Sequence, residues 1–248
     1  MSEGAATADA FIEGLKAKQS DEELRKIKRY FKSGEGEYGE GDVFLGVRMG
    51  EVFALAKRYV EMEPAEIEKL LESPLHEARA GACSIMAKQA ALKRTSDERR
   101  GDLYGLYRRR IDRINNWDLV DLAARDVVGR WLADRPRDPL DDLARSDDVW
   151  ERRTAIYATS YFIRRGELDD TFRIAEILLH DDEELIQKAV GGWLREAGKQ
   201  DPERLERFLD DHAATMPRTA LRHAIERLDE DRRAHYRGLG QDRATPAA

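Results

Sequence analysis

The chain has little of several things, and each shortage excludes something. Among 248 residues there is one cysteine, Cys83, so an internal disulfide and a cysteine-based metal cluster are both excluded. The five histidines, His76, His180, His212, His223 and His235, never fall into an H-E-x-x-H pattern, and no metal or other cofactor is expected. No run of about 18 apolar residues occurs. Met1 to Asp9 also lacks the basic-then-apolar order of a signal peptide, so the expectation is a soluble, cytoplasmic chain with no membrane partner. Proline is scarce at 7, and no segment alternates convincingly with period two, which argues against an all-β fold.

What is present points to helices. The hydrophobic fraction of 41% suffices for a continuous core. The charged fraction of 38% stands well above the roughly 25% of an average soluble protein. Pro64, Pro74, Pro202 and Pro217 each stand just before or at the start of an amphipathic run, the place where a helix tolerates a missing N–H. Ser20 with Glu23 and Thr95 with Glu98 read as capping boxes. The pattern predicts helices over 8–19, 21–33, 48–61, 64–72, 75–92, 96–113, 117–134, 139–145, 149–165, 169–179, 182–198, 202–212, 218–228 and 229–237. Ser33 to Gly41 is a glycine-rich connector or a surface flap, and 238–248 reads as a frayed tail. No other linker marks a boundary, so a single domain over 1–237 is expected. The absence of a heptad seam suggests a monomer.

A weak repeat shows in the second half. Asp147 to Ile156 aligns with Asp181 to Val190 at an offset of 34, and Val120 to Ala123 aligns with the first at 32. Such spacing suggests stacked helix pairs of the HEAT kind, with Asp121, Arg153 and Gln187 along one wall.

The densest functional candidate is Asn115 to Asp121. Asn116 is an N-cap candidate and Asp118 falls in the first turn, where the helix dipole favours a carboxylate. Trp117 and Asp121 share a face, but Trp117 also begins an apolar stripe through Val120, Ala124, Val127 and Trp131 that equally reads as core. The formal charge of −7 speaks against a polyanionic partner. Locally, His76 to Arg113 carries ten bases against five acids, a balance of +5 that leaves −12 elsewhere. With Arg152, Arg153, Arg164 and Arg165 that segment is either a phosphate-binding track or a solvated face of ion pairs.

The runs FLGVRM (Phe44 to Met49), NWDLVD (Asn116 to Asp121), WERRTAI (Trp150 to Ile156) and IQKAVGGWLRE (Ile186 to Glu196) together resemble the AlkD-like DNA alkylation repair family, over about Phe11 to Tyr236. That resemblance implies an all-α, right-handed solenoid of HEAT-like repeats with a concave basic cleft. It implies an alkylpurine DNA glycosylase that removes cationic N3- or N7-alkylated purines, 3-methyladenine, 7-methylguanine or bulkier adducts, from duplex DNA. Carried over by position, the catalytic carboxylate falls on Asp121, the sugar-contacting tryptophan on Trp117 and a backbone-positioning arginine on Arg153. Arg48, Arg109, Arg110, Arg113, Gln187 and Lys188 are the further DNA-contact candidates, and Trp150, Gly192 and Trp193 the cleft-lining ones. Two positions depart from the family's pattern. Gly192 stands where an active-site tryptophan is expected, with Trp193 one residue later and so rotated by about 100°, towards the core. Arg48 stands in place of a glutamine. The alternative reading is a helical-repeat module that binds DNA or protein without catalysis.

Overall fold

A computed structural model describes residues 6–31, 39 and 41–239; most of the Ser33–Gly41 connector and the tail from 240 onward lie outside the described residues. The chain divides into two compact units, Met1–Trp131 and Leu132–Ala248. Every regular element described is a helix, apart from one isolated parallel bridge between Val43 and Leu75.

The first unit contains α1 (Ala8–Lys16), α2 (Asp21–Tyr30), α3 (Met49–Arg58), α4 (Pro64–Glu72), α5 (His76–Ala91), α6 (Asp97–Arg109) and α7 (Trp117–Ala123). From α7 the chain runs on through a π-helical stretch, Ala124–Gly129, into the short α8 (Arg130–Leu132). α4 packs on α1 and α6, while α5 packs on α3 and α7; α1 against α3 and α4 against α5 join the two layers. α5 is the centre because its sequence is small and apolar on all sides: Ala78, Ala80, Gly81, Ala82, Cys83 and Ser84 are all buried. The Phe11 ring of α1 occupies the place that a Cβ at Gly81 would need. Burial pushes the Cys83 thiol well above its ordinary pKa, as suits an inert core residue.

The second unit holds α9 (Asp138–Ala144), α10 (Val149–Ala158), α11 (Ser160–Ile163), α12 (Asp169–Ile177), α13 (Glu184–Gly198), α14 (Pro202–His212), α15 (Arg218–Ala224) and α16 (Glu230–Gly238). Here α9 pairs with α10, α12 with α13, and α13 carries α10, α14 and α15 around it. The starts of α10, α13 and α15 at Val149, Glu184 and Arg218 follow the offset seen in the sequence.

Two local expectations are corrected. The cap of α6 is Ser96, whose hydroxyl accepts from Arg99 N at 3.1 Å, and not Thr95, whose hydroxyl donates to Gln89 O at 2.6 Å. The helix expected over 149–165 breaks after Ala158, where Thr159 and Ser160 donate their hydroxyls to the carbonyls of Ile156 and Tyr157 three residues back. Ser20 does cap α2, accepting from Glu23 N, and Asn116 caps α7, accepting from Trp117 N at 2.8 Å. No helix among the described residues is long and apolar enough to cross a membrane.

Candidate functional site

The first turns of α7 open onto a cavity of about 650 Å³ within the first unit. Trp117, Asp118, Asp121 and Leu122 line it from α7, Lys26, Ile27 and Tyr30 from α2, Met49 and Phe53 from α3, and Phe31 from the segment after α2. Trp117 is only half-buried, so it does not follow the core stripe; Val120, Ala124 and Val127 do. Its ring stacks on Phe31 (centroids 5.6 Å apart, planes at 17°) and meets the edge of Tyr30 at 5.8 Å. A carboxylate, Asp121, therefore stands at the wall of a space to which four aromatic rings, Tyr30, Phe31, Phe53 and Trp117, contribute.

Sequence reasoning found Trp117 and Asp121 but missed their neighbours on the opposite wall. The signal was present in the run through α2 to Phe31, where Leu24, Ile27, Tyr30 and Phe31 are the apolar positions of an otherwise charged stretch and recur at the three-to-four spacing of one helical face.

Behind the tryptophan lies a buried ionic network. His76, in the first turn of α5 and 1% exposed, bridges two carboxylates: Nδ1 meets Asp42 Oδ2 at 3.1 Å and Nε2 meets Asp118 Oδ2 at 2.8 Å. Arg79 donates to Asp42 and to Asn115, and Asn116 Nδ2 donates to Asp42 Oδ2 at 2.9 Å. Carboxylates only accept, so both ring nitrogens must donate and the imidazole is an imidazolium. Burial alone would lower the His76 pKa; the hydrogen bonds it donates to Asp118 and Asp42 outweigh it and raise it to about 9. Burial would likewise raise Asp42, but His76, the Arg79 charge and Asn116 bring it down to about 2. Two carboxylates thus face two cations in a neutral buried cluster.

The FLGVRM segment is held against the start of α5. Buried Glu77 accepts from Leu45 N, Gly46 N and Val47 N. Gly46 has φ +85, and a Cβ there would lie 2.5 Å from Ser20 O, so only glycine fits. This delivers Arg48, the residue before α3, to an exposed position where Nη2 pairs with Glu23 at 2.9 Å.

The charge count along 76–113 overstates the cations left for a partner, because several of the arginines are already paired. α4 and its flanks are acidic, and the arginines turn towards them: Arg94 pairs with Glu61, Arg99 with Glu63, Arg109 with Glu68 at 2.8 Å and Arg110 with Glu72 at 2.6 Å. Arg113 donates to the carbonyls of Leu71, Glu72 and Ser73. Lys88 places its amine over Phe53 of the cavity wall, 5.8 Å from the ring centroid.

In the second unit, Arg153 differs from an exposed phosphate-gripping arginine. It is 5% exposed, donates to Leu185 O and to the Tyr157 hydroxyl, both at 2.8 Å, and lies over the Tyr157 ring; it braces α10 to α13. Gln187 donates to Asp181 O, Lys188 pairs with Glu184 at 3.0 Å, and Trp150 is buried. Trp193 does not turn into the core: it is half-buried and meets the edge of Tyr157 at 5.3 Å. A Cβ at Gly192 would meet nothing within 4 Å, so the surface there is open.

The helices pair throughout the described residues, and a tryptophan and a carboxylate stand one turn apart on the cavity wall. Residues 11–228 match the family described as DNA alkylation repair enzyme, and the chain belongs to that family. Its role is accordingly in DNA alkylation repair, with DNA as the partner. Among solved structures it is similar to a "predicted DNA alkylation repair enzyme from Enterococcus faecalis", at 20% identity and a TM-score of 0.66 over 86% of this chain and 98% of that one. No curated protein matches the sequence.

Proposed function

We propose that the protein is an alkylpurine DNA glycosylase that hydrolyses the N-glycosidic bond of cationic N3- or N7-alkylated purines in duplex DNA. The observation that carries this reading is the placement of Asp121 and Trp117 together on the wall of the aromatic cavity. Alkylation makes the base a cationic leaving group, so no general acid is needed and a single carboxylate suffices, unlike the carboxylate pair of ordinary glycosidases. Positive charge moves onto the sugar as the bond breaks. Asp121 stabilises it and orients the attacking water, while the electron-rich face of Trp117 holds the deoxyribose. In this reading the two units are halves of one helical-repeat domain over 1–237 that acts as a monomer in the cytoplasm. The exposed Arg48, with Gln187 and Lys188, contacts the DNA backbone; Arg109 and Arg110 do so by exchanging Glu68 and Glu72 for phosphate. Arg153 positions the α13 segment that carries Gln187, Lys188, Gly192 and Trp193. A cavity of about 650 Å³ is far larger than a methyl group, so bulky N3-adenine adducts belong in the substrate set.

The test is single-turnover release of 7-methylguanine, 3-methyladenine and a bulky N3-adenine adduct from duplex DNA. Asp121→Asn is expected to lose about 3 kcal/mol of transition-state stabilisation, on the order of 100-fold in rate, with DNA affinity preserved. Equal rates in the two proteins would remove Asp121 from the chemistry. Tight binding without release by the wild type would favour the non-catalytic module.

A further inference from the structure

The buried network behind Trp117 is expensive to build, and its geometry converges on the cavity. His76 is enclosed by Asp42, by Asp118 of α7, by Arg79 on its own helix and by two aromatic rings, Phe31 at 4.9 Å and Phe44 at 4.8 Å between centroids. Phe31 is the same ring that stacks on Trp117. Asp118 lies between Trp117 and Asp121 on α7; its Oδ2 receives His76, while its buried Oδ1 has no hydrogen-bond partner among the described residues. His76 is thus the neutralising partner of the carboxylate that begins α7, and it touches the ring that supports Trp117.

We propose that His76 is a positioning residue, bridging Asp42 and Asp118 so that the first turn of α7 and the Phe31 ring hold Trp117 and Asp121 in register on the cavity wall. The consequence for catalysis rests on the glycosylase reading; the consequence for Trp117 does not. Two contacts act together. The Nε2–H bond fixes Asp118, and with it the rotation of a helix whose next turn carries Asp121. The imidazolium packed against Phe31 and Phe44 favours ring faces turned towards it, which sets the stack on which Trp117 rests. Loss of His76 leaves the buried Asp118 carboxyl without the partner that fixes it, and the first turn of α7 loses that anchor.

The test uses the intact protein labelled with 5-fluorotryptophan. Its four tryptophans, Trp117, Trp131, Trp150 and Trp193, give four ¹⁹F resonances, and Trp117→Phe assigns the first. In His76→Gln the Trp117 resonance is expected to shift or broaden while the other three hold, reporting an intact fold. In the wild type the Trp117 resonance should also titrate as His76 loses its proton near pH 9, and His76→Gln should abolish that titration. In single-turnover excision the same variant should fall about 10- to 100-fold in rate, the size of a misplacement effect, with DNA affinity little changed. An unmoved Trp117 resonance in folded His76→Gln overturns the proposal. If His76→Gln does not fold, Asp118→Asn is read the same way: a displaced Trp117 resonance supports the proposal and an unmoved one overturns it. A wild type that leaves alkylated DNA intact sinks the glycosylase reading alone, because the fluorine spectra still decide the positioning role.

Discussion

Asp118 and Asp121 stand three residues apart on the same helix, and the structure gives them different surroundings. Asp118 is buried against a cationic imidazole, while Asp121 remains half-exposed on the cavity wall. The first-turn position of Asp118 satisfies the helix dipole, as its place in the sequence suggested, but its main partner, His76, lies 42 positions away. That pairing makes stability depend on pH in a definite direction. His76 is raised from 6.5 to about 9, so its contribution is complete below about pH 6.5 and is lost as pH rises through about 9. Asp42 is lowered from 3.8 to about 2, so its contribution is complete above about pH 4 and is lost as pH falls through about 2. Thermal melts of the wild type should therefore show a decline between pH 6.5 and 9 that His76→Gln flattens. Parallel curves for the two proteins would mean that the imidazolium does not supply this dependence.

At the scale of the element, α2 and the following Phe31 supply four of the ten residues that line the cavity, Lys26, Ile27, Tyr30 and Phe31. The π-helical stretch after α7 is a second element-level feature. It adds a residue to the helical turn just beyond Asp121 and Leu122, which interrupts the regular stripe expected through Trp131. Trp131 instead stacks on Tyr104 of α6 at 5.8 Å. In the second unit the Arg153 guanidinium joins α10 to α13 through a carbonyl, a hydroxyl and a ring. Arg153→Ala should cost about 2–4 kcal/mol of unfolding free energy by urea titration, because it orphans buried acceptors and removes packing. Arg153→Lys should recover only part of that loss, since a point charge cannot replace a planar fork that also stacks. A surface-like loss of a few tenths of a kcal/mol for Arg153→Ala would contradict the bracing role.

For the whole molecule, the question is how a chain of net charge −7 meets DNA. Sequence counting put a +5 segment at 76–113, yet α4 lies against it and answers Arg109 and Arg110 with Glu68 and Glu72. Exposed pairs of this kind are worth about 0–1 kcal/mol, so phosphate can compete for the arginines. Replacing both glutamates, Glu68→Gln with Glu72→Gln, should tighten DNA binding at low salt. Arg109→Ala with Arg110→Ala should flatten the dependence of log K on log salt by about 0.9 for each phosphate that is no longer neutralised. Titrations in which neither pair alters the slope would place these arginines off the DNA path.

Much of this protein was readable from local pattern. Proline at helix starts, the caps at Ser20 and Asn116 and the placing of Trp117 and Asp121 on one face are short-range consequences of helical geometry, and the structure reproduces each of them. The opposite wall of the cavity, the His76 bridge, the burial of Arg153 and the neutralisation of the basic segment depend on residues distant in the chain coming together on one helix pair or one cavity wall. Periodicity records which face of a helix is apolar; it does not record which helix will cover that face, or whose carboxylate a given cation will meet. Those choices were left to tertiary packing, because long-range pairing is selected by the burial and charge balance of the whole unit and not by any window of its sequence.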